Sequence, residues 1–506
     1  MWFWLSVPLW FAQATVPPVP PTGSPAGSPA TPPAPPPVEW VRPQEVRPLT
    51  GALNQVPVFN SNSPEIVLED GILLSTFPPE NKRDPKAHLN FAFEGRFDLF
   101  AHHIGRFETQ ESVRTLYLGL LVYNPAQGQN PRDTVTLNVL KNASYRSQPD
   151  APFIPLPDWL EDPAGLFYSG PGSRAMSTIL RESALNLPPL TLQPGEFQLL
   201  SMDPIVVKGE PARVNGRSLL MQLESSGKVY VASLAYFAKT DPTTGAEIPP
   251  ILVDWVELLE TADLVSPRDR TPTPIEQTQG QVIYGRVSGV SIGSEWHGVL
   301  TDPQRSTLNI PAPGQALSYP ISSLLRGRLG TQQIQSAPLA VRYEDTAYQA
   351  HGNYGVGYRL VLPLQNQSDR PQSVAISLET PLKEDDLSQK GLRFFVSPPD
   401  RIFFRGPVRI RYRDRNDRLV SRYLHLVLRR GQRGTPLATI DLAPGEQQRV
   451  TVELLYPADS TPPQVLTLET LPRLEPPRLE PPEILPPSSE DSSTPQPPLK
   501  PLKKTD

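Results

Sequence analysis

The chain has 506 residues, 65 of them proline and none cysteine, with a formal net charge of −5. Without cysteine there is no disulfide, thiolate nucleophile, iron–sulfur cluster, cysteine zinc site or lipidated cysteine anchor, so any core is held by packing and hydrogen bonds. A net charge this small selects no class of partner.

In chain order, "MWFWLSVPLWFAQA" is an apolar run closed by Ala12-Gln13-Ala14, an A-x-A cleavage pattern. It is too short to span a bilayer, which takes about 20 residues. It predicts an export signal over 1–14 and no transmembrane span in the mature chain. The positively charged stretch that ordinarily precedes such a run is missing, which leaves the true start open. Residues 15–40 hold eleven prolines and residues 472–506 another eleven. Neither end can bury a core, so they predict an extended proline-rich linker over 15–40 and a disordered tail over 471–506.

Between these ends the dominant pattern is period two. In "DTVTLNVL" (133–140), Val135, Leu137 and Val139 share one face and Thr134, Thr136 and Asn138 the other, which predicts a half-buried antiparallel strand. "GKVYVASLAYF", "YRLVLPL", "SVAISL", "VRIRY", "RVTVEL" and "QVLTLET" read the same way. Two helices are predicted: 173–185 with Ser173 as N-cap, and 250–260 with Pro250 in its first turn. The second precedes "SPRDRTPTPIEQTQG", read as part of an interdomain linker over 263–279.

Two plans recur. "YLGLLVYNPAQGQNPRDTVTLNVL" (117–140) and "YRLVLPLQNQSDRPQSVAISLET" (358–380) each run from a Tyr-led strand through an Asn- and Pro-containing turn into an alternating strand. "LTLQPGEFQLL" (190–200), "LNIPAPGQALSYPI" (308–321) and "IDLAPGEQQRVTV" (440–452) each place Pro-Gly and then Glu or Gln between short strands. The expectation is a mainly β protein: two antiparallel β-sandwich, immunoglobulin-like domains at 41–262 and 280–470, with a few short helices.

Candidate chemistry is sparse. His102 and His103 are adjacent, but on a strand they point to opposite faces, His103 with Phe97 and Leu99 and His102 with Asp98. A structural role is expected, one imidazole in the interior and one near the surface, and no metal site. "GVSIG" (289–293) matches G-x-S-x-G, yet Gly298 and Pro303 prevent the helix that a nucleophile elbow needs, so Ser291 is read as a loop residue. "SGPGSRAM" (169–176) could present a helix N-terminus to an anion, with Arg174 adding charge, but capping by Ser173 accounts for the same residues. Trp40, Trp159, Trp255 and Trp296 could stack on sugars or simply fill the interior. No catalytic set, metal site or cofactor is predicted.

The one anomaly in composition is residues 393–433, with 12 Arg, no Lys and three Asp. Alternation puts Arg409, Arg411 and Arg413 on one face of a strand opposite Val408, Ile410 and Tyr412, and "RDRNDR" reads as a hairpin turn. Arg409, Arg411, Arg413, Arg422, Arg429 and Arg430 are therefore candidate anion-binding residues, with anionic envelope polysaccharide or another envelope protein as the partner. The plainer reading is a solvated edge hairpin whose charges meet carboxylates of an otherwise acidic chain. Nucleic acid does not fit an exported protein of negative charge.

The stretches "VPVFNSNSPE", "AHLNFAFEGRFDLFAHH", "QPDAPF", "GPGSRAM", "GKVYVASLAYFA", "GNYGVGY" and "FFRGPVRIRY" resemble a cyanobacterial family of exported proteins of unknown function, over about residues 41–470. The resemblance implies an exported location: periplasm, outer envelope or extracellular space. It brings no activity, ligand or site residue. The expected function is that of a structural or adhesive cell-envelope protein, and the alternative is a secreted carbohydrate-active enzyme or sugar-binding module.

Overall fold

A computed structural model describes residues 37–472 apart from 111, 128–129, 184–186, 211 and 278. The expected leader at 1–14, most of the 15–40 linker and nearly all of the 471–506 tail lie outside the described residues. Alternation becomes burial where it was expected. In the strand Val135–Arg146, Val135, Leu137 and Val139 are buried while Thr136 and Asn138 are only partly so. The described chain is mainly β, in several sheets, with two α-helices.

Two sheets dominate the C-terminal half. One runs in the order Trp159–Glu161, Leu419–Arg429, Ile402–Arg413, Gln447–Leu455, Gly357–Gln365, Glu295–Val299, Ala52–Leu53, with Leu308–Asn309 beside Gly357–Gln365. The other runs Glu45–Val46, Ala316–Ile321, Gln464–Thr470, Gln372–Glu379, Ala438–Leu442. Their inward side chains, among them Leu360, Leu362, Ile376, Val408, Ile410, Val452 and Leu466, form one continuous core.

The N-terminal half is organised by the 24-residue strand Val214–Phe237. Its first part pairs with Phe93–Arg106 and Val135–Arg146, and its second with Gly71–Ser75 and Leu116–Tyr123. One strand thus serves two layers around the core of Phe97, Leu99, Leu118, Leu120, Leu219 and Val231.

The two recurring plans fold alike and dock on each other alike. Leu116–Tyr123 pairs with Phe197–Ile205 and Val135–Arg146 with Leu190–Leu192; correspondingly, Gly357–Gln365 pairs with Gln447–Leu455 and Gln372–Glu379 with Ala438–Leu442. At the junction sits a buried asparagine. The Asn124 side chain donates to Asp133 O and Leu192 O, and its backbone exchanges bonds with Glu196 and Gly195. Asn366 donates to Arg370 O, Leu442 O and Ala443 O, and its backbone exchanges bonds with Glu446 and Gly445. In all three Pro-Gly turns the N–H of the following Glu or Gln reaches back three residues, and the glycine has positive φ (74°, 78° and 74° at Gly195, Gly314 and Gly445), the type II arrangement.

Other expectations are corrected. The first helix, α1, is Ser173–Leu180 with Gly172, at φ 77°, in the cap position; Ser173 lies inside it and its hydroxyl caps nothing. Glycine's freedom makes the turn that a serine side chain was expected to stabilise. The second, α2, is Leu252–Thr261, so Pro250 precedes the cap residue Ile251, whose N–H donates to Asp254 Oδ2 at 2.8 Å.

Hydrogen bonding also crosses the expected 263–279 division. Glu39–Pro43 pairs with Gly391–Phe395, Glu45–Val46 with Ala316–Ile321, Ala52–Leu53 with Glu295–Val299, and Trp159–Glu161 with Leu419–Arg429. Within 263–279 itself Val265 is buried and Arg268 binds Asp345. Short strands take whichever sheet edge is open, and sequence distance does not choose it.

Candidate functional site

The arginine-rich stretch folds as the predicted hairpin, Ile402–Arg413 with Leu419–Arg429, and Asp414 closes its turn by accepting from the N–H groups of Asn416 and Arg418. Val408 and Ile410 face the core, so Arg409, Arg411 and Arg413 face outward. The outer face carries its own anions. Glu453 on the neighbouring strand lies opposite Arg409. Arg409 Nε donates to Glu453 Oε2 and Arg411 Nη2 to Oε1, both at 2.9 Å. Burial works against the Arg409 charge, but its bonds to Glu453 and Tyr423 outweigh it and raise its pKa.

The other candidates are scattered along the sheet. Arg422 makes paired bonds of 3.0 and 2.9 Å to Glu161 and lies over the Trp159 ring; these bonds hold the Glu161 carboxyl below its ordinary range. Arg429 binds Asp158 at 2.5 Å and lies 3.4 Å from Asp400, and Arg413 is 3.3 Å from Asp417. Arg430 lies over Phe395 and has no ion pair among the described residues. The structure therefore joins Arg409 and Arg411 on one carboxylate, gives Arg413, Arg422 and Arg429 separate ones, and leaves Arg430 uncompensated. The partners Asp158, Glu161 and Glu453 were missed in the sequence. The signal for Asp158 and Glu161 is the acidic "PDWLED" segment, complementary to the arginines but far from them along the chain; Glu453 stands alone in "RVTVEL".

The two histidines point to opposite faces as expected, with one correction: both imidazoles are buried. His102 bonds Ser218 Oγ through Nδ1 at 2.8 Å, while His103 bonds Ser61 Oγ and Pro64 O at 2.9 and 2.8 Å, on the opposite face. Burial lowers their pKa values to about 4 and about 3. His88, His351 and His425 are likewise lowered to about 4 by burial. No group of three or more His, Asp or Glu among the described residues is arranged to hold a metal ion.

Ser291 lies in the strand Ser288–Ile292, paired on both sides, not in a loop. Another strand follows it, Glu295–Val299, so the strand–helix geometry of a nucleophile elbow is not built there. Gly289 permits the close pairing, since a Cβ there would come within 2.2 Å of Val341 O. Arg174 stacks over Tyr145 and Tyr168 and lies 3.7 Å from Asp150, so its charge is committed locally. Trp255 and Trp296 are interior residues; Trp40 packs against Phe394, and Trp159 lies under Arg422.

A feature absent from the sequence reading is an open groove of about 650 Å³. It lies between the Glu45–Val46 edge of the five-stranded sheet and the segment 302–311. Arg47, Asp302, Arg305, Asn309 and Gln315 line it together with Pro43, Pro303 and Pro311. Arg47 donates to both Glu45 oxygens and to Asp302, and the Glu45 bonds raise its pKa. Behind it, burial pushes the Tyr319 hydroxyl up to about 12.

A family model described as a protein of unknown function, DUF3370, matches residues 44–470. The chain belongs to this family. No curated protein matches the chain. Among solved structures, similarity is found to Lac15 from a marine microbial metagenome (9% identity, 75% of this chain and 52% of that one, TM-score 0.10). It is also found to procruciferin, an 11S globulin from Brassica napus (9% identity, 84% and 85%, TM-score 0.09). The chain spans about half the length of Lac15. Neither likeness bears on fold or function. No helix among the described residues of this DUF3370 member is long and apolar enough to cross a membrane.

Proposed function

We propose that the protein is an exported component of a cyanobacterial cell envelope, structural or adhesive rather than catalytic, built as two β-sandwich units and meeting anionic polysaccharide or another envelope protein. The observation that carries this reading is the stitching of the arginine sheet. On the sheet Arg422 and Arg409 bind Glu161 and Glu453, and beyond it Arg393 and Arg433 of the same arginine-rich stretch meet Glu39 and Glu379. Such cross-ties suit a scaffold that keeps its shape without disulfides. Arg413 and Arg430, the least committed of the six candidate arginines, are the ones available to an outside anion.

Fractionation of cells carrying an epitope-tagged chain tests the location: recovery with the envelope or medium is expected, and recovery in the cytosol would overturn it. Arg413→Glu with Arg430→Glu should release the protein from isolated envelope polysaccharide without unfolding it; unchanged retention would remove these arginines from the proposal. The second reading, a sugar-binding module, is favoured by the groove.

A further inference from the structure

The groove beside Glu45–Val46 holds polar groups that the fold leaves unused. Arg47 is fully engaged by Glu45 and Asp302. Arg305 is exposed at the rim and has no ion pair among the described residues. Asn309 gives its backbone N–H to Asp302, but its side-chain Oδ1 is sealed from solvent with no donor. Its carboxamide is thus fixed by no protein partner and can turn over to offer donor or acceptor. Gln315 is exposed with its side chain unengaged. The four charged side chains of the lining, Glu45, Arg47, Asp302 and Arg305, sum to zero, but only Arg305 stands outside an ion pair among the described residues; the groove therefore offers one unpaired guanidinium and two free carboxamides, beside apolar walls of Pro43, Pro303, Ile310 and Pro311.

A peptide strand finds little purchase there. The open edge of the sheet there is the two-residue strand Glu45–Val46, bracketed by Pro43 and Pro48, and the three lining prolines have no N–H to donate to a ladder. A ligand rich in hydroxyls, with flat C–H faces and an occasional carboxylate, matches what is offered. The volume is within the range of small-molecule sites, and an open groove admits an internal stretch of a polymer.

We infer that this groove binds a short stretch of acidic polysaccharide, a uronate carboxylate meeting Arg305 and ring hydroxyls meeting Asn309 and Gln315. The inference rests on the reading of the protein as an envelope component in contact with polysaccharide, and adds to the long-polymer contact at Arg413 and Arg430 a separate site of oligosaccharide size.

Calorimetric titration of the full chain with trigalacturonate, and with neutral cellotriose beside it, tests this. Trigalacturonate should bind, and more tightly than cellotriose. Arg305→Ala should weaken trigalacturonate about tenfold or more, the loss of one charge-assisted pair. Asn309→Ala with Gln315→Ala should weaken both sugars, and Arg413→Glu with Arg430→Glu should bind as the unaltered chain does. Arg305 and Gln315 have no protein partner, so the melting temperature of these groove variants should hold. No binding at millimolar trigalacturonate, equal affinity for cellotriose, or full affinity in Arg305→Ala would overturn the inference. So would displacement of the sugar by a peptide of residues 473–506, which would make the occupant protein. Trigalacturonate binding by a chain found in the cytosol would overturn the envelope reading alone, and envelope location without binding would overturn the groove alone.

Discussion

Glu453→Gln tests whether the arginine sheet is an internal framework or an external binding face. Glu453 is 9% exposed and joins Arg409 and Arg411, with Arg359 at 3.8 Å. Removing one partner of a buried ion pair costs about 3–5 kcal/mol, because the remaining charge stays desolvated. Arg409, 11% exposed, carries most of that cost, and its retained bond to Tyr423 places it at the lower end. Arg411 and Arg359 are 29% and 52% exposed, so solvent screens their arms to under ~1 kcal/mol each. The expected loss is about 3 kcal/mol. Urea denaturation followed by tryptophan fluorescence measures it, with Asp369→Asn, at an 89% exposed position, as a control expected to stay within ~0.5 kcal/mol. The variant should also need more salt for elution from a polygalacturonate resin, since it frees guanidinium groups that are now neutralised. A stability loss below ~1 kcal/mol would refute the view that these arginines hold the sheet together.

Asn124→Ala and Asn366→Ala should each lose roughly 1–3 kcal/mol by stranding buried carbonyls; if one is tolerated and the other is not, the two junctions are not energetically equivalent. Gly119→Ala would bring a Cβ to 2.7 Å from the Trp255 ring, so a loss of about 1–3 kcal/mol and an altered near-ultraviolet dichroism are expected. Stability should fall with acid. Four buried histidines and the partly buried His351 have folded pKa values of about 3 to 4 against 6.5 unfolded, so the unfolded chain takes up protons first as pH drops from about 6.5 towards 4. Asp98, pushed up to about 6 by burial, acts in the opposite sense, as do Asp70, Asp269 and Asp459, which burial also raises, but the histidines outnumber them. The urea midpoint should drop between pH 7 and pH 5, and a flat profile would refute the assignment of neutral buried imidazoles.

The strands were legible because each strand's period of two is a local property, as Val135, Leu137 and Val139 illustrate. The Pro-Gly turns were legible because Pro194-Gly195 and Pro444-Gly445 need no tertiary partner to bend. Partner choice was not. Nothing local to Glu39–Pro43 distinguishes a sheet nearby from one formed by Gly391–Phe395. The same limit hid the groove, whose walls come from residues 43–47 and 302–317, and the neutralisation of the arginines by Glu161 and Glu453. Both histidines were buried against expectation because the second face of Phe93–Arg106 is covered too; alternation reports two faces but not which of them meets water.

The pairing of the first strand with one from the last third of the chain has a consequence for the order of synthesis. Arg393 and Glu39 meet across 354 residues, and Arg42 and Glu379 across 337. Residues 39–53 are made well before their hydrogen-bonding partners, so this segment is among the last of the described parts to be seated. A nascent chain therefore keeps an unfilled edge until it is nearly complete, and a product truncated before residue 391 leaves Glu39–Pro43 unpaired. Completion of the fold doubles as a length check: only a chain carrying both Glu39–Pro43 and Gly391–Phe395 can close this pairing.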